Sequence, residues 1–81
     1  MTVRVLLFAR ARELAKTGEV TLELPAGATV ADFRVTLAAQ QSVLAELLAL
    51  SAVAVDEEFA DDDTIIRDGA VAAVIPPVSG G

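Results

Sequence analysis

The stretch Glu19–Gln40, EVTLELPAGATVADFRVTLAAQ, carries two hydrophobic periods on either side of one turn. In Glu19–Leu24 the alternation is strict, with Val20, Leu22 and Leu24 on one side and Glu19, Thr21 and Glu23 on the other. A period of two predicts a half-buried strand. Pro25-Ala26-Gly27 interrupts it with a turn. From Thr29 the period lengthens, and Val30, Phe33 and Leu37 recur at helical spacing. Thr29 suits the N-cap, and Asp32, three residues on, places a carboxylate where it answers free amides and the helix dipole. The main helix is therefore predicted over Thr29–Gln40. A striped helix and an alternating strand each leave one apolar side that must be buried against something else.

Upstream, Thr2–Phe8 (TVRVLLF) is β-branched and apolar on both sides: Val3, Val5 and Leu7 on one, Leu6 and Phe8 with Arg4 on the other. It predicts a central strand, or one whose second face meets a partner. Ala9–Lys16 holds good helix formers and predicts a short helix, closed by a left-handed Gly18. Downstream, Gln40-Gln41-Ser42 ends the helical stripe, and Leu44, Leu47 and Leu48 predict a further helical segment. Ser51–Val55 reads as a third strand, Glu58-Phe59 as a short fourth, Asp61–Asp63 as a loop and Asp68-Gly69 as a turn. Ala70–Ile75 (AVAAVI) is the last strand, again apolar on both faces, and Pro76-Pro77 end it because neither donates to a ladder. The order β–β–α–β–β–β gives an α+β fold, a mixed sheet with one main helix packed across it. Residues 1–75 form the domain and residues 76–81 an extended tail.

The residues that are missing narrow the chemistry. The 81-residue chain has no cysteine and no histidine. It therefore lacks a thiolate nucleophile, a disulfide staple, the usual neutral-pH base and the commonest metal ligand. The net charge of −6 argues against nucleic acid, whose binding needs a surface that neutralises phosphates. No apolar run approaches the roughly 18 residues of a membrane span, and Arg4 within the first apolar stretch is unlike a signal peptide. A cytoplasmic protein with no membrane contact is expected. Asp56, Glu57, Glu58, Asp61, Asp62, Asp63 and Asp68 concentrate the acidity. They read either as a solvated loop or as a surface that steers a basic partner. No metal site is expected, since Asp61-Asp62-Asp63 in sequence do not converge on one ion.

The sequence ends Pro76-Pro77-Val78-Ser79-Gly80-Gly81. The prolines hold the backbone extended. Six extended residues reach roughly 20 Å. Gly80 and Gly81, lacking a β-carbon, pass through a channel too narrow for other residues. A carboxylate delivered this way is a poor electrophile until it is activated, most simply as an acyl-adenylate. This chain has neither a phosphate-cradling glycine loop nor a thiol for that task, so an external ATP-dependent enzyme is required.

Phe8-Ala9 with Arg12-Glu13-Leu14, Val55 with the acidic stretch after it, and Asp68-Gly69 with Pro76–Gly81 resemble the corresponding segments of the MoaD family, the small subunits of molybdopterin synthase. The resemblance covers the whole chain and is most specific in the tail. It departs at Ala70 and Val71, where acidic residues are common, at Asp56, where asparagine is common, and at Ile75, where an aromatic residue often stands. The resemblance implies a ubiquitin-like β-grasp fold and a sulfur carrier. Gly81 would be adenylated by a MoeB-like activating enzyme that uses ATP, then converted to a thiocarboxylate. The tail Pro76, Pro77, Val78, Ser79 and Gly80 would enter a MoaE-like large subunit that holds the catalytic residues. Two carriers in turn would supply the dithiolene sulfurs that convert precursor Z (cyclic pyranopterin monophosphate) to molybdopterin, within a two-plus-two heterotetramer. No cofactor would be bound by the carrier itself. By position, Phe8, Phe59 and Ile75 resemble apolar partner contacts, with core packing as the alternative. Arg12 reads either as a partner's counter-ion or as a solvent-facing helical arginine. Other readings are a carrier for thiamine, cysteine or tRNA thiolation, a ubiquitin-like modifier that joins lysines, and a plain interaction module.

Overall fold

The structure, a computed structural model, describes residues 1–78. Five strands form one sheet in the order β2-β1-β5-β3-β4. They are β1 (Thr2–Leu7), β2 (Glu19–Glu23), β3 (Ala52–Val55), β4 (Glu58–Phe59) and β5 (Val71–Ile75). β1 and β5 run parallel in the register Val5↔Ala72, and the remaining pairs are antiparallel. The two strands apolar on both sides thus lie inside the sheet, as their sequences predict. The helices are α1 (Ala9–Ala15), α2 (Val30–Gln40) and α3 (Ala45–Leu50), with a 3-10 turn at Ser42–Leu44. This is the ubiquitin-like β-grasp arrangement.

α2 grips one face of the sheet. Its Val30, Phe33 and Leu37 are buried with Val3, Val5, Leu22, Val53, Ala72 and Val74 in a single core. The expected capping box is present: Thr29 Oγ1 accepts from the Asp32 amide at 3.3 Å, and Asp32 Oδ2 accepts from the Thr29 amide at 2.9 Å. The two amides at the very start of α2 find partners that the sequence does not announce. Val30 N–H donates to Thr64 O and Ala31 N–H to Asp62 O, both at 3.0 Å. All four free amides of the first turn are then satisfied, with Phe33 donating to Thr29 O. The Asp61–Asp63 loop is therefore a backbone cap for α2. Asp62 is fastened further by Arg34, whose Nε donates to Asp62 Oδ1 at 2.9 Å and whose Nη1 reaches Leu48 O.

One local expectation is corrected. α1 ends at Ala15, and the left-handed residue is Lys16 (φ 61°), ahead of Gly18. Gly18 instead lies under the guanidinium of Arg12, where a β-carbon would approach Arg12 Cζ to 3.4 Å. The turns expected at Pro25-Ala26-Gly27 and Asp68-Gly69 are present, with Gly27 (φ 84°) and Gly69 (φ 80°) in left-handed backbone.

Candidate functional site

The second face of the sheet carries no helix. On its β2 side it is polar: Arg4 and Glu19 pair at 2.9 Å, and Thr2 donates to Glu23. The hydrogen bond and the charge of the partner raise the Arg4 pKa and lower that of Glu19. On its β5 side it is apolar. Leu6, Phe8, Phe59, Val71, Ala73 and Ile75 line a shallow cavity of about 490 Å³. Phe8 is 47% exposed and Phe59 76% exposed. The structure thus brings Phe8, Phe59 and Ile75, from three separate segments, into one cavity. Val71 and Ala73 belong with them. Their signal in the sequence is the second apolar face of AVAAVI, which they share with Ile75.

Arg12 does not line this cavity. Its side chain lies over Gly18, is exposed, and makes no ion pair among the described residues. A second cavity, of about 570 Å³, opens where β5 leaves the sheet, between Ala9, Arg10, Glu13 and Leu47 on one side and Pro76, Pro77 and Val78 on the other. Pro76 is buried, whereas Pro77 and Val78 are exposed. The chain therefore departs from the body at Pro77. Ser79, Gly80 and Gly81 lie outside the described residues.

Asp56 borders the apolar cavity. Its Oδ1 accepts from the Val71 amide at 3.0 Å, and its Oδ2 accepts from Arg67 Nη2 at 3.1 Å. The backbone donor first, and Arg67 second, hold its carboxyl below the usual aspartate range. The described residues hold no cluster of three carboxylates placed to ligate a metal ion.

The sequence matches the profile of the ThiS family over residues 5–81. The chain belongs to the ThiS family. A molybdopterin synthase sulfur carrier subunit of Arabidopsis thaliana is 38% identical, the match covering 98% of this chain and 82% of the relative. Among solved structures, SAMP1 of Haloferax volcanii superposes with a TM-score of 0.89 at 26% identity, over 100% of both chains. A complex of subunits 1 and 2 of the molybdopterin-converting factor from Helicobacter pylori contains a chain that matches at a TM-score of 0.71 and 26% identity, over 100% of both chains. This ThiS-family chain thus shares its fold with carriers and with a small archaeal modifier. Among the described residues, no helix is long and apolar enough to cross a membrane.

Proposed function

We propose that the chain is the sulfur carrier subunit of a molybdopterin synthase. One observation carries the reading. The unpartnered apolar face around Phe8, Phe59 and Ile75 reaches the last residue of β5, next in sequence to the Pro76-Pro77 step at which the tail leaves the body. A partner that covers this face stands where it also receives Pro77, Val78, Ser79, Gly80 and Gly81. An exposed apolar patch on so small a domain favours a protein partner. The kinship with named molybdopterin synthase sulfur carrier subunits supports the pathway. The complex of the Helicobacter pylori relative supports a large-subunit partner.

In this reading the Gly81 carboxylate attacks the α-phosphorus of ATP in a MoeB-like enzyme, and pyrophosphate leaves. A sulfur nucleophile at the oxidation level of sulfide then attacks the acyl carbon and expels AMP, leaving the thiocarboxylate. In a MoaE-like subunit that sulfur is transferred to precursor Z, and hydrolysis of the acyl group returns Gly81 as a carboxylate. The carrier binds no cofactor, and the working assembly is a two-plus-two heterotetramer. Its own residues dock, orient and deliver. Phe8, Phe59 and Ile75 provide the contact, the exposed Arg12 on α1 offers a partner carboxylate a counter-ion away from that cavity, and the prolines start the tail extended.

The test is removal of Gly81, with Gly80→Val beside it. Both variants are expected to keep the fold and to lose sulfur transfer to precursor Z, the first for want of the acyl group and the second by jamming the channel. Full transfer by the truncated chain sinks the carrier reading, and normal turnover by Gly80→Val sinks threading. The likeness to SAMP1 favours one second reading, a protein modifier. Mass spectrometry of Gly81 in cells separates the two: a thiocarboxylate marks the carrier, a lysine adduct the modifier.

A further inference from the structure

The apolar cavity has a firm floor and a slight wall. The floor is β1 and β5, each paired on both sides. The wall is the β3–β4 hairpin that carries Phe59. β4 has two residues and pairs with β3 only at Ala54↔Phe59 and Val55↔Glu58. So short an edge strand, with its aromatic ring three-quarters exposed, has little local stability of its own.

Asp56 ties the wall to the floor. Its N–H donates to Val71 O at 2.9 Å, and its carboxylate accepts the Val71 N–H in return. This reciprocal pair carries the β3–β5 contact one residue past Val55↔Ala72, into the turn itself. Arg67 holds the second carboxylate oxygen. Asp56 (φ 50°) and Glu57 (φ 72°) are the central residues of the turn, both left-handed as a two-residue hairpin of the I′ kind requires. Asp56 also borders a third cavity, beyond the hairpin, with Ile65 and Arg67. It thus stands between the two sides of the wall.

We propose that Asp56 is a positioning residue for partner docking: by holding the β3–β4 turn on Val71, it sets the place of Phe59 and so the shape of the apolar face a partner protein reads. This rests on the docking proposed above for that face. The role makes three demands on the side chain: an acceptor for the Val71 amide, tolerance of left-handed backbone, and a counter-charge for Arg67. Asparagine meets the first two. Glycine meets only the second, and it removes the acceptor without adding backbone strain.

The test compares wild type, Asp56→Asn and Asp56→Gly in two measurements. The first is amide exchange at Val71 and at Ala60, whose N–H donates to Val53 O across the hairpin at 2.9 Å. The second is affinity for the recombinant molybdopterin synthase large subunit of the same genome. Asp56→Gly is expected to speed exchange at both amides and to weaken binding about tenfold or more, the range of a docking hot spot. Asp56→Asn is expected to keep Ala60 protected and the affinity within about threefold, well short of that range. If Asp56→Gly frees Val71 alone, with Ala60 and affinity unchanged, Asp56 only satisfies a local amide and the proposal fails. If Asp56→Asn weakens binding as much as glycine while Ala60 stays protected, the partner reads the charge directly, which also overturns positioning. Failure of the wild-type chain to bind the large subunit defeats the docking reading, and exchange at Ala60 still decides whether the tie exists.

Discussion

The core face of the sheet and the β5 side of its second face are drawn from the same residue types and end in opposite states. On one, Val3, Val5, Leu7, Leu22, Val53, Ala72 and Val74 are at most 1% exposed. On the other, Leu6, Val71, Ala73 and Ile75 are half-buried, and Phe8 and Phe59 stand in the open. The difference lies in the connection, since composition is alike. β2 and β3 point the same way, and the segment between them crosses the sheet once, carrying α2 on one side. Such crossovers have a fixed hand. A single helix covers a single face, so the apolar second face stays uncovered in this chain, and it is the surface proposed above for a partner.

The sharpest way to break this comparison is to truncate one aromatic ring on each face. Phe33→Ala, beneath α2 with its ring fully buried, is expected to cost about 3–5 kcal/mol of stability. That is a large part of what a small domain possesses, about 5–15 kcal/mol. A urea melt should show a much lower midpoint, or no folded baseline. Phe59→Ala should change the same midpoint little, within about 0.5 kcal/mol. It should instead weaken binding of the large subunit by about 1.4 kcal/mol or more, a factor of ten. A marked loss of stability in Phe59→Ala, with unchanged affinity, would make the second face structural and erase the distinction.

The sequence reading extended unevenly across these features. The strands, the main helix and its capping box were legible because each rests on residues within a few positions of one another, as Thr29 and Asp32 do. The apolar second face was legible in part, because period two in TVRVLLF and AVAAVI leaves hydrophobes on both sides. What was not legible depends on distant partners. Asp61–Asp63 looks like a solvated acidic run, yet Asp62 supplies a carbonyl to Ala31 and a carboxylate to Arg34. Asp56 looks like one more acid in the same run, and only the register of β3 on β5 brings it to Val71. Gly18 misled for a different reason. Glycine after a helix usually supplies the left-handed cap, but here Lys16 takes that backbone two residues earlier.

A smaller effect is expected where the two faces meet the tail. Ala9 opens α1 with φ 51°, a left-handed backbone that an alanine adopts only under strain. It also lines the cavity at the base of the tail. Ala9→Gly is expected to raise stability by about 0.5–1 kcal/mol, less than the full strain because glycine also loosens the unfolded chain. Thermal unfolding should shift upward by a few degrees. A downward shift would mean that residue 9 is unstrained in solution and that Phe8, just before it, is held by less than the geometry implies.

The smallest effect concerns acid. Every buried residue among those described is apolar except Ser51, so the core itself has no carboxylate to titrate. The pH dependence of the described body therefore comes from exposed groups, chiefly Asp56 and Glu19, both held below their ordinary pKa values. For such a group the unfolded chain binds the proton more readily, so the stabilisation is complete above the unfolded pKa, about 3.9 for aspartate and 4.3 for glutamate. It is lost as pH falls through the lower folded value. Urea melts from pH 6 to pH 2.5 should thus be flat at first and then decline below about pH 4. Asp56→Asn should keep the hairpin at neutral pH and show a shallower decline, because its acceptor for Val71 does not titrate in this range. The Glu19–Arg4 pair on the polar side of the open face remains in that variant and accounts for a residual slope. Were the two profiles to run parallel throughout, the Asp56 carboxylate would not be engaged with Val71 and Arg67 in solution, and whatever ties the slight wall of the open face to its floor would have to come from elsewhere.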